Sequence, residues 1–378
     1  MHSVNFNYYI KAPKINTELI PRERLIQSLI VNNSKQLVLI SSPAGYGKTS
    51  LLLQYIHSSV PDSYIWIQGT ETIRSPYTLI KLVLTAFKSS GYIINDAFFS
   101  IIESYETELS SDDKILDEAL EQLVIILCSL DLREFKFIID DYQLFEQNDD
   151  KNKISNLISK LLKNKIEGLN VILSSREEFN LPTAKLEAKR NIFRINTSEL
   201  AFSDVETLEA ARAIYQIELT DSELNLLQET VNGWISAIHI IFQKGKTWQA
   251  ELETVKKDDI FRYFSEDIFI DLDEEVKRFI IATSLLDSFN EEESDRILNI
   301  ISSGNIIRQV IKKKVFIESF ADENGKARYS YQKLFKEFLT VYNTGLDTAI
   351  YIAIAKHYQL SGNLKSHIYF LLKAGLVK

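Results

Sequence analysis

Three short stretches of this chain hold residue types that do chemistry only when brought together. Residues 41–49 read SSPAGYGKT. Gly47, Lys48 and Thr49 fill the last three places of the G-x-x-x-x-G-K-[ST] phosphate-binding pattern, and Ser42 stands where the first glycine is usual. In such a loop, backbone N–H groups close round phosphate oxygens, the lysine supplies a point charge and the hydroxyl binds Mg²⁺. The residues that let the backbone close are mainly Gly45 and Gly47, so Ser42 is tolerable. The second stretch, FKFIID, ends in Asp140-Asp141; the third, NVILSS, runs through Ser175 into Arg176.

These residues need a scaffold that places them at one edge. KQLVLISS (35–42) is an apolar, β-branched run, and TSLLLQYIHSS (49–59) has the broad apolar face of a helix. The loop therefore lies between a strand and a helix, as its phosphate-binding chemistry requires. Further strands are expected at 64–69, 135–140, 170–175 and 191–196, with helices at 76–90, 114–130 and 152–165. Strands alternating with helices imply an α/β fold, a parallel sheet with helices on both faces. Ligands bind such sheets outside the carboxyl ends of the strands. There Thr49 and Asp140 are expected to hold Mg²⁺, Lys48 to reach the β- and γ-phosphates, Asp141 to polarise an attacking water, and Arg176 to sense or stabilise the γ-phosphate. Each feature alone has a plainer explanation, a solvated turn or a surface ion pair; their order along the chain favours the nucleotide site.

Composition narrows the remaining classes. The 378 residues suggest two or three domains, and 45% apolar with 25% charged residues is a globular balance. No run approaches the ~18 apolar residues of a membrane span, and the opening has no export signal. A single cysteine, Cys128, excludes an internal disulfide and agrees with a reducing cytoplasm. Five scattered histidines give no metal-binding pair. A net charge of −9 argues against a chain coated for nucleic acid.

Beyond the sheet the chain turns helical. Ser203-x-x-Glu206 and Thr220-x-x-Glu223 are capping boxes, and Asn232-Gly233 breaks the chain before WISAIHIIF. This region is expected to be a compact helical lid. Helices at 273–286, 291–301 and 304–314, followed by two β-rich runs around Asn324-Gly325, make a winged helix. Its third helix carries Arg308, Lys312, Lys313 and Lys314, which hints at DNA, whereas Glu291, Glu292, Glu293 and Asp295 crowd the helix before it. The last stretch forms two amphipathic helices broken at Ser361-Gly362-Asn363, one unit of a helical-repeat array. The expected layout is a lead segment 1–34, a nucleotide-binding domain 35–200, a lid 201–265, a winged helix 266–345 and the start of TPR-like repeats at 346–378.

PRERL (21–25), SPAGYGKTS (42–50), FIIDDYQ (137–143), ILSSR (172–176), ELAFS (199–203), NGWISAI (232–238) and LFKEFL (334–339) together resemble the MalT-like signal-transducing ATPases of the STAND class. These form the front of large LuxR-type bacterial transcription regulators. The resemblance implies a slow ATPase used as a switch: ADP holds a closed monomer, and inducer plus ATP opens it to self-associate. It also implies that Pro43, Ala44, Gly45, Tyr46, Gly47, Lys48, Thr49 and Ser50 bind nucleotide, that Arg22 or Arg24 lies nearby, and that Trp234 belongs to the lid motif. Relatives usually carry His-Pro before the Leu-Phe of the winged domain, and that histidine meets the ADP phosphate; here Gln332 and Lys333 stand there. DNA contact would come only through a C-terminal domain outside this chain. Two alternatives stay open, a conventional P-loop enzyme such as a small-molecule kinase and a winged-helix DNA binder.

Overall fold

The computed structural model describes residues 6–15, 19–59, 63–73, 75–107, 113–146, 153–245, 248–249, 258–323, 325–343 and 346–376. They divide into two compact units. The first comprises Met1–Ser42 and Tyr46–Leu200; the second comprises Pro43–Gly45 and Ala201–Lys378.

The first unit is built on five parallel strands: β1 (Leu37–Ser41), β2 (Tyr64–Gln68), β3 (Phe135–Asp140), β4 (Leu169–Ser175) and β5 (Ile192–Ile195), in the order β2-β3-β4-β1-β5. β4 thus separates the strand that enters the loop from the strand that ends in Asp140. Every residue of β1, β3 and β4 is buried, because both faces are covered. Successive side chains point to opposite faces. Leu37, Leu39, Ile67, Phe137, Ile139 and Leu173 share one core with residues of the helices Pro76–Ser89, Asp113–Ser129 and Lys153–Lys163. Val38, Ile40, Trp66, Ile138 and Ile172 point the other way and are just as buried. The buried residues of the helices Glu23–Val31 and Lys48–Ser59 lie outside that first core. The expected strands and helices are present with ends shifted by a residue or two, and the helix Asp96–Thr107 is an addition.

In the second unit both capping boxes form: the Ser203 and Thr220 side chains accept from the Glu206 and Glu223 backbones, opening the helices Asp204–Tyr215 and Asp221–Val231. Asn232 and Gly233 then take left-handed φ of 49° and 66°, and the chain re-enters a helix at Ile235–Phe242. The winged helix follows. Helices Glu274–Thr283, Glu291–Leu298 and Gly304–Lys312 precede the antiparallel hairpin β6 (Ile317–Ala321) and β7 (Ala327–Tyr331), and Lys333–Val341 closes the module. The hairpin turn is held by Asp322 N–H to the Lys326 carbonyl and Gly325 N–H to the Asp322 carbonyl, both 2.9 Å; Asn324 lies outside the described residues. A half-buried ion pair, Arg328–Glu293 at 3.0 Å, ties the hairpin to the second helix. The helices Thr348–Leu360 and Leu364–Lys373 end the described chain.

Candidate functional site

The carboxyl ends of β1, β3 and β4 gather the chemistry of the first unit. Lys48 opens the loop helix and is buried; its ammonium donates to the Ser42 carbonyl at 2.8 Å and lies 3.3 Å from the Ser42 hydroxyl. Ser42 is itself fully buried, with its N–H on the Ser175 carbonyl at 3.3 Å. A glycine there would offer the lysine one oxygen fewer, so the departure from the usual pattern has a structural use. Thr49 donates its hydroxyl to Asp140 Oδ2 at 2.6 Å, past the intervening β4.

Asp140 is buried at the end of β3, and its other oxygen accepts from the Ser174 hydroxyl. Burial raises its carboxyl above the ordinary range and the neighbouring Asp141 raises it further, while Ser174, Thr49 and Lys48 pull it back. A buried carboxylate with that balance, beside a threonine hydroxyl, is a set of hard oxygen donors that suits Mg²⁺. Among the described residues no group of three or more His, Cys, Asp or Glu forms a metal cluster.

Asp141 turns out of the strand with φ of 52°, a left-handed conformation that aspartate tolerates better than most residues. Its carboxylate accepts from Gln68 Nε2 and Gln143 Nε2, each at 3.0 Å, and Arg176 Nε lies 3.5 Å away. Arg176 is half-exposed; its backbone N–H donates to Gln143 Oε1 at 2.9 Å. The close approach of β2 requires Gly69, whose N–H donates to the Asp140 carbonyl at 2.7 Å. A Cβ on Gly69 would sit 2.1 Å from the Asp141 carbonyl oxygen.

Two sequence-expected arginines sit elsewhere in this unit. Buried Arg22 donates to the Leu200 carbonyl and exposed Arg24 to the Glu199 carbonyl, each at 2.8 Å, fastening the lead helix to the Thr197–Leu200 turn. Tyr46 is fully buried and Ser50 half-buried within the loop and its helix.

The loop tip, Pro43–Gly45, clusters with the second unit. The Trp234 indole N–H donates to the Ala44 carbonyl at 3.1 Å, and Ser236 N–H donates to the Gly45 carbonyl at 3.0 Å. The second bond gives a partner to one of the unpaired N–H groups that every helix start carries. Gly45 has φ of 80°, and a Cβ there would meet Ser236 Oγ at 2.5 Å, so only glycine fits. Trp234 is buried, stacked on Phe264 at 4.9 Å and edge-on to Phe316 at 5.0 Å; Phe316 in turn stacks on Phe335. A contiguous aromatic column therefore joins the loop tip to the winged helix. Gln332 begins the last winged-helix helix, its N–H on the Phe316 carbonyl at 2.9 Å.

Sequence reasoning missed Gln68, Ser174 and Gln143. Ser174 and Gln68 occupy strand ends, where the rule about carboxyl edges signals them; nothing in the sequence marks Gln143.

Comparison with known proteins shows what the chain resembles. The model of the MalT winged helix domain matches residues 265–342. The HTH-type transcriptional regulator MalT of Vibrio campbellii is 26% identical over 329 residues, covering 85% of this chain and 35% of its own length. MalT of Cronobacter sakazakii is 23% identical over 333 residues, with the same coverage. The chain therefore spans about a third of the length of these relatives. Among solved structures, the Walker-type ATPase PABY2304 of Pyrococcus abyssi shares the fold, with a TM-score of 0.53 at 14% identity over 86% of this chain and 98% of that one. The chain thus joins a five-stranded parallel sheet to a region at residues 265–342 that matches the MalT winged helix domain, and it is similar to MalT regulators over 85% of its length.

Proposed function

We propose that this chain is the nucleotide-controlled switch of a bacterial transcription regulator, resting with ADP and opening to self-associate with ATP and an inducer. The observation that carries this reading is the Lys48–Ser42 and Thr49–Asp140 arrangement at the carboxyl edge of the sheet. Lys48 and the N–H groups of Gly45–Thr49 bind the phosphates. Thr49 and Asp140 would hold Mg²⁺ through their side-chain oxygens, and the ion would supply positive charge against the phosphates. Asp141 orients and deprotonates the attacking water, and Arg176 balances charge on the γ-phosphate. Trp234 and Ser236 act through the loop: by engaging the outward carbonyls of Ala44 and Gly45 they help to aim the loop's N–H groups inward. Arg22 and Arg24 act away from the phosphates, fastening the lead helix to the Thr197–Leu200 turn, and Gln332 stands at the sequence position where relatives carry the phosphate-contacting histidine.

A switch differs from a metabolic enzyme in rate. Steady-state hydrolysis of ATP is expected to lie well below the roughly 1–1,000 s⁻¹ of ordinary enzymes, with retention of ADP. Rapid, partner-free turnover, or transfer of phosphate to a member of a metabolite panel, would favour the conventional P-loop enzyme instead. The match to the MalT winged helix domain, together with similarity to the transcriptional regulators named MalT, makes a regulatory role the better fit.

A further inference from the structure

Residues three and four apart on a helix lie along one face. In the winged helix, Glu274, Lys277, Arg278 and Ile281 form such a stripe on the helix Glu274–Thr283. With Phe269 and Tyr342 they line a cleft of about 290 Å³. Part of its wall is apolar: Phe269 is buried, its ring 4.5 Å from that of Tyr342.

The charges round the cleft are balanced and loosely held. Lys277 Nζ lies 2.9 Å from Glu274 and 5.6 Å over the Phe269 ring. Arg278 lies 3.1 Å from Asp347, which precedes the helix Thr348–Leu360. The Lys277 side chain is only 18% exposed, whereas those of Glu274 and Asp347 are 89% and 70% exposed. Water screens carboxylates so placed, and such pairs contribute little. A carboxylate that enters the cleft can therefore replace Glu274 on the largely buried lysine.

Asn343 points to the other end of a ligand. Its Nδ2 donates to the Tyr351 hydroxyl at 2.9 Å, while its Oδ1 is buried with no hydrogen-bond partner among the described residues. A buried acceptor left unpaired is costly, and a ligand N–H would satisfy it. Asn343 also follows the C-terminus of the helix Lys333–Val341, whose negative end favours a cation.

Two cations and two carboxylates suit a ligand of zero net charge, not a phosphate group, which brings about −1.5 to −2. We propose that this cleft binds a small zwitterion, an amino acid with an apolar side chain. Its carboxylate meets Lys277 and Arg278, its ammonium meets Asn343 Oδ1, and its side chain lies against Phe269 and Ile281. None of these residues belongs to the nucleotide loop or the sheet edge, so the proposal stands apart from the nucleotide reading. Arg278–Asp347 and Asn343–Tyr351 join the winged helix to the helix that follows it, and a ligand here fastens that junction.

The test uses the full chain and a panel of L-leucine, L-isoleucine, L-valine, L-methionine and L-phenylalanine, with their amides and 2-hydroxy acids as controls. The amides lack the carboxylate and the hydroxy acids lack the ammonium, so these controls depend on no variant. Thermal unfolding and calorimetric titration are followed in the wild type, Lys277→Met and Asn343→Leu. Lys277→Met keeps the aliphatic stem, and Asn343→Leu keeps the size of the side chain. At least one amino acid is expected to raise the wild-type Tm by about 2 °C or more at saturation. Its affinity should fall about tenfold or more in Lys277→Met or when the amide replaces it, the loss of a charged hydrogen bond. Asn343→Leu, or the hydroxy acid, should weaken binding about fivefold. No shift with any member of the panel overturns the proposal. Equal affinity in the wild type and Lys277→Met, or for the amino acid and its amide, overturns it as well.

Discussion

The hydroxyl of Thr49, at the start of the loop helix, donates a 2.6 Å hydrogen bond to the carboxylate of Asp140, at the end of a strand two places away in the sheet. This bond brings together the two sides of the proposed magnesium site. Asp140→Asn keeps the size of the side chain but removes its charge. It is expected to weaken Mg²⁺ affinity about 10–100-fold. ATP titrations with Mg²⁺ and with EDTA should then differ in the wild type and coincide in the variant. Equal Mg²⁺ dependence in both proteins would remove Asp140 from the site.

Asp141→Asn separates binding from chemistry. The asparagine can still accept a hydrogen bond, so affinity for ATP should stay within about twofold, while kcat falls by about 100-fold or more with the loss of the base. Equal losses in both quantities, by titration and single-turnover hydrolysis, would mean that Asp141 binds nucleotide rather than activating water.

Trp234→Phe removes the donor to the Ala44 carbonyl and leaves an aromatic ring against Phe264 and Phe316. One net hydrogen bond is worth about 1 kcal/mol, so nucleotide affinity should fall roughly fivefold with the fold retained. Calorimetric titration checks the first part and circular dichroism the second. Unchanged affinity would show that the loop holds its conformation without the indole.

Lys136 offers a pH test remote from the site. It lies at the opposite end of β3, fully buried, with its ammonium on the Asn33 carbonyl at 3.2 Å. Burial lowers its pKa from the usual lysine value, against the pull of Glu134. A lowered pKa means that the folded state carries the cost of a buried charge at neutral pH, and sheds it as pH rises through the folded value toward 10.5. Lys136→Met should therefore raise the melting temperature by about 2–4 °C at pH 7. That advantage should shrink in alkaline buffer as the wild-type lysine deprotonates. A constant difference across pH would mean that packing, not charge, decides it.

The sheet was legible because β1, β3 and β4 are buried on both faces and so are almost unbroken apolar runs, each ending where its functional residue begins. The order of the strands was not, since nothing in β4 announces that it lies between β1 and β3. The same holds for the amides on Asp141. Gln68 and Gln143 are ordinary polar residues in sequence and acquire a role only when β2 and the Gln143–Glu146 turn meet at one carboxylate. Trp234 was legible as a motif residue, but its bond to Ala44 spans 190 positions and belongs to tertiary structure alone. The helix Asp96–Thr107 escaped because its exposed Ile101 blurs the apolar face.

The nucleotide content of the purified protein tests the central claim most directly. The wild type and Lys48→Ala are denatured, and the released nucleotide is identified and counted by chromatography. One ADP per wild-type chain and none from Lys48→Ala is the expected result, since the proposal makes the lysine the phosphates' charge partner in the loop. Equal ADP from both proteins, or a wild type that neither carries nor binds ADP or ATP, would contradict the account.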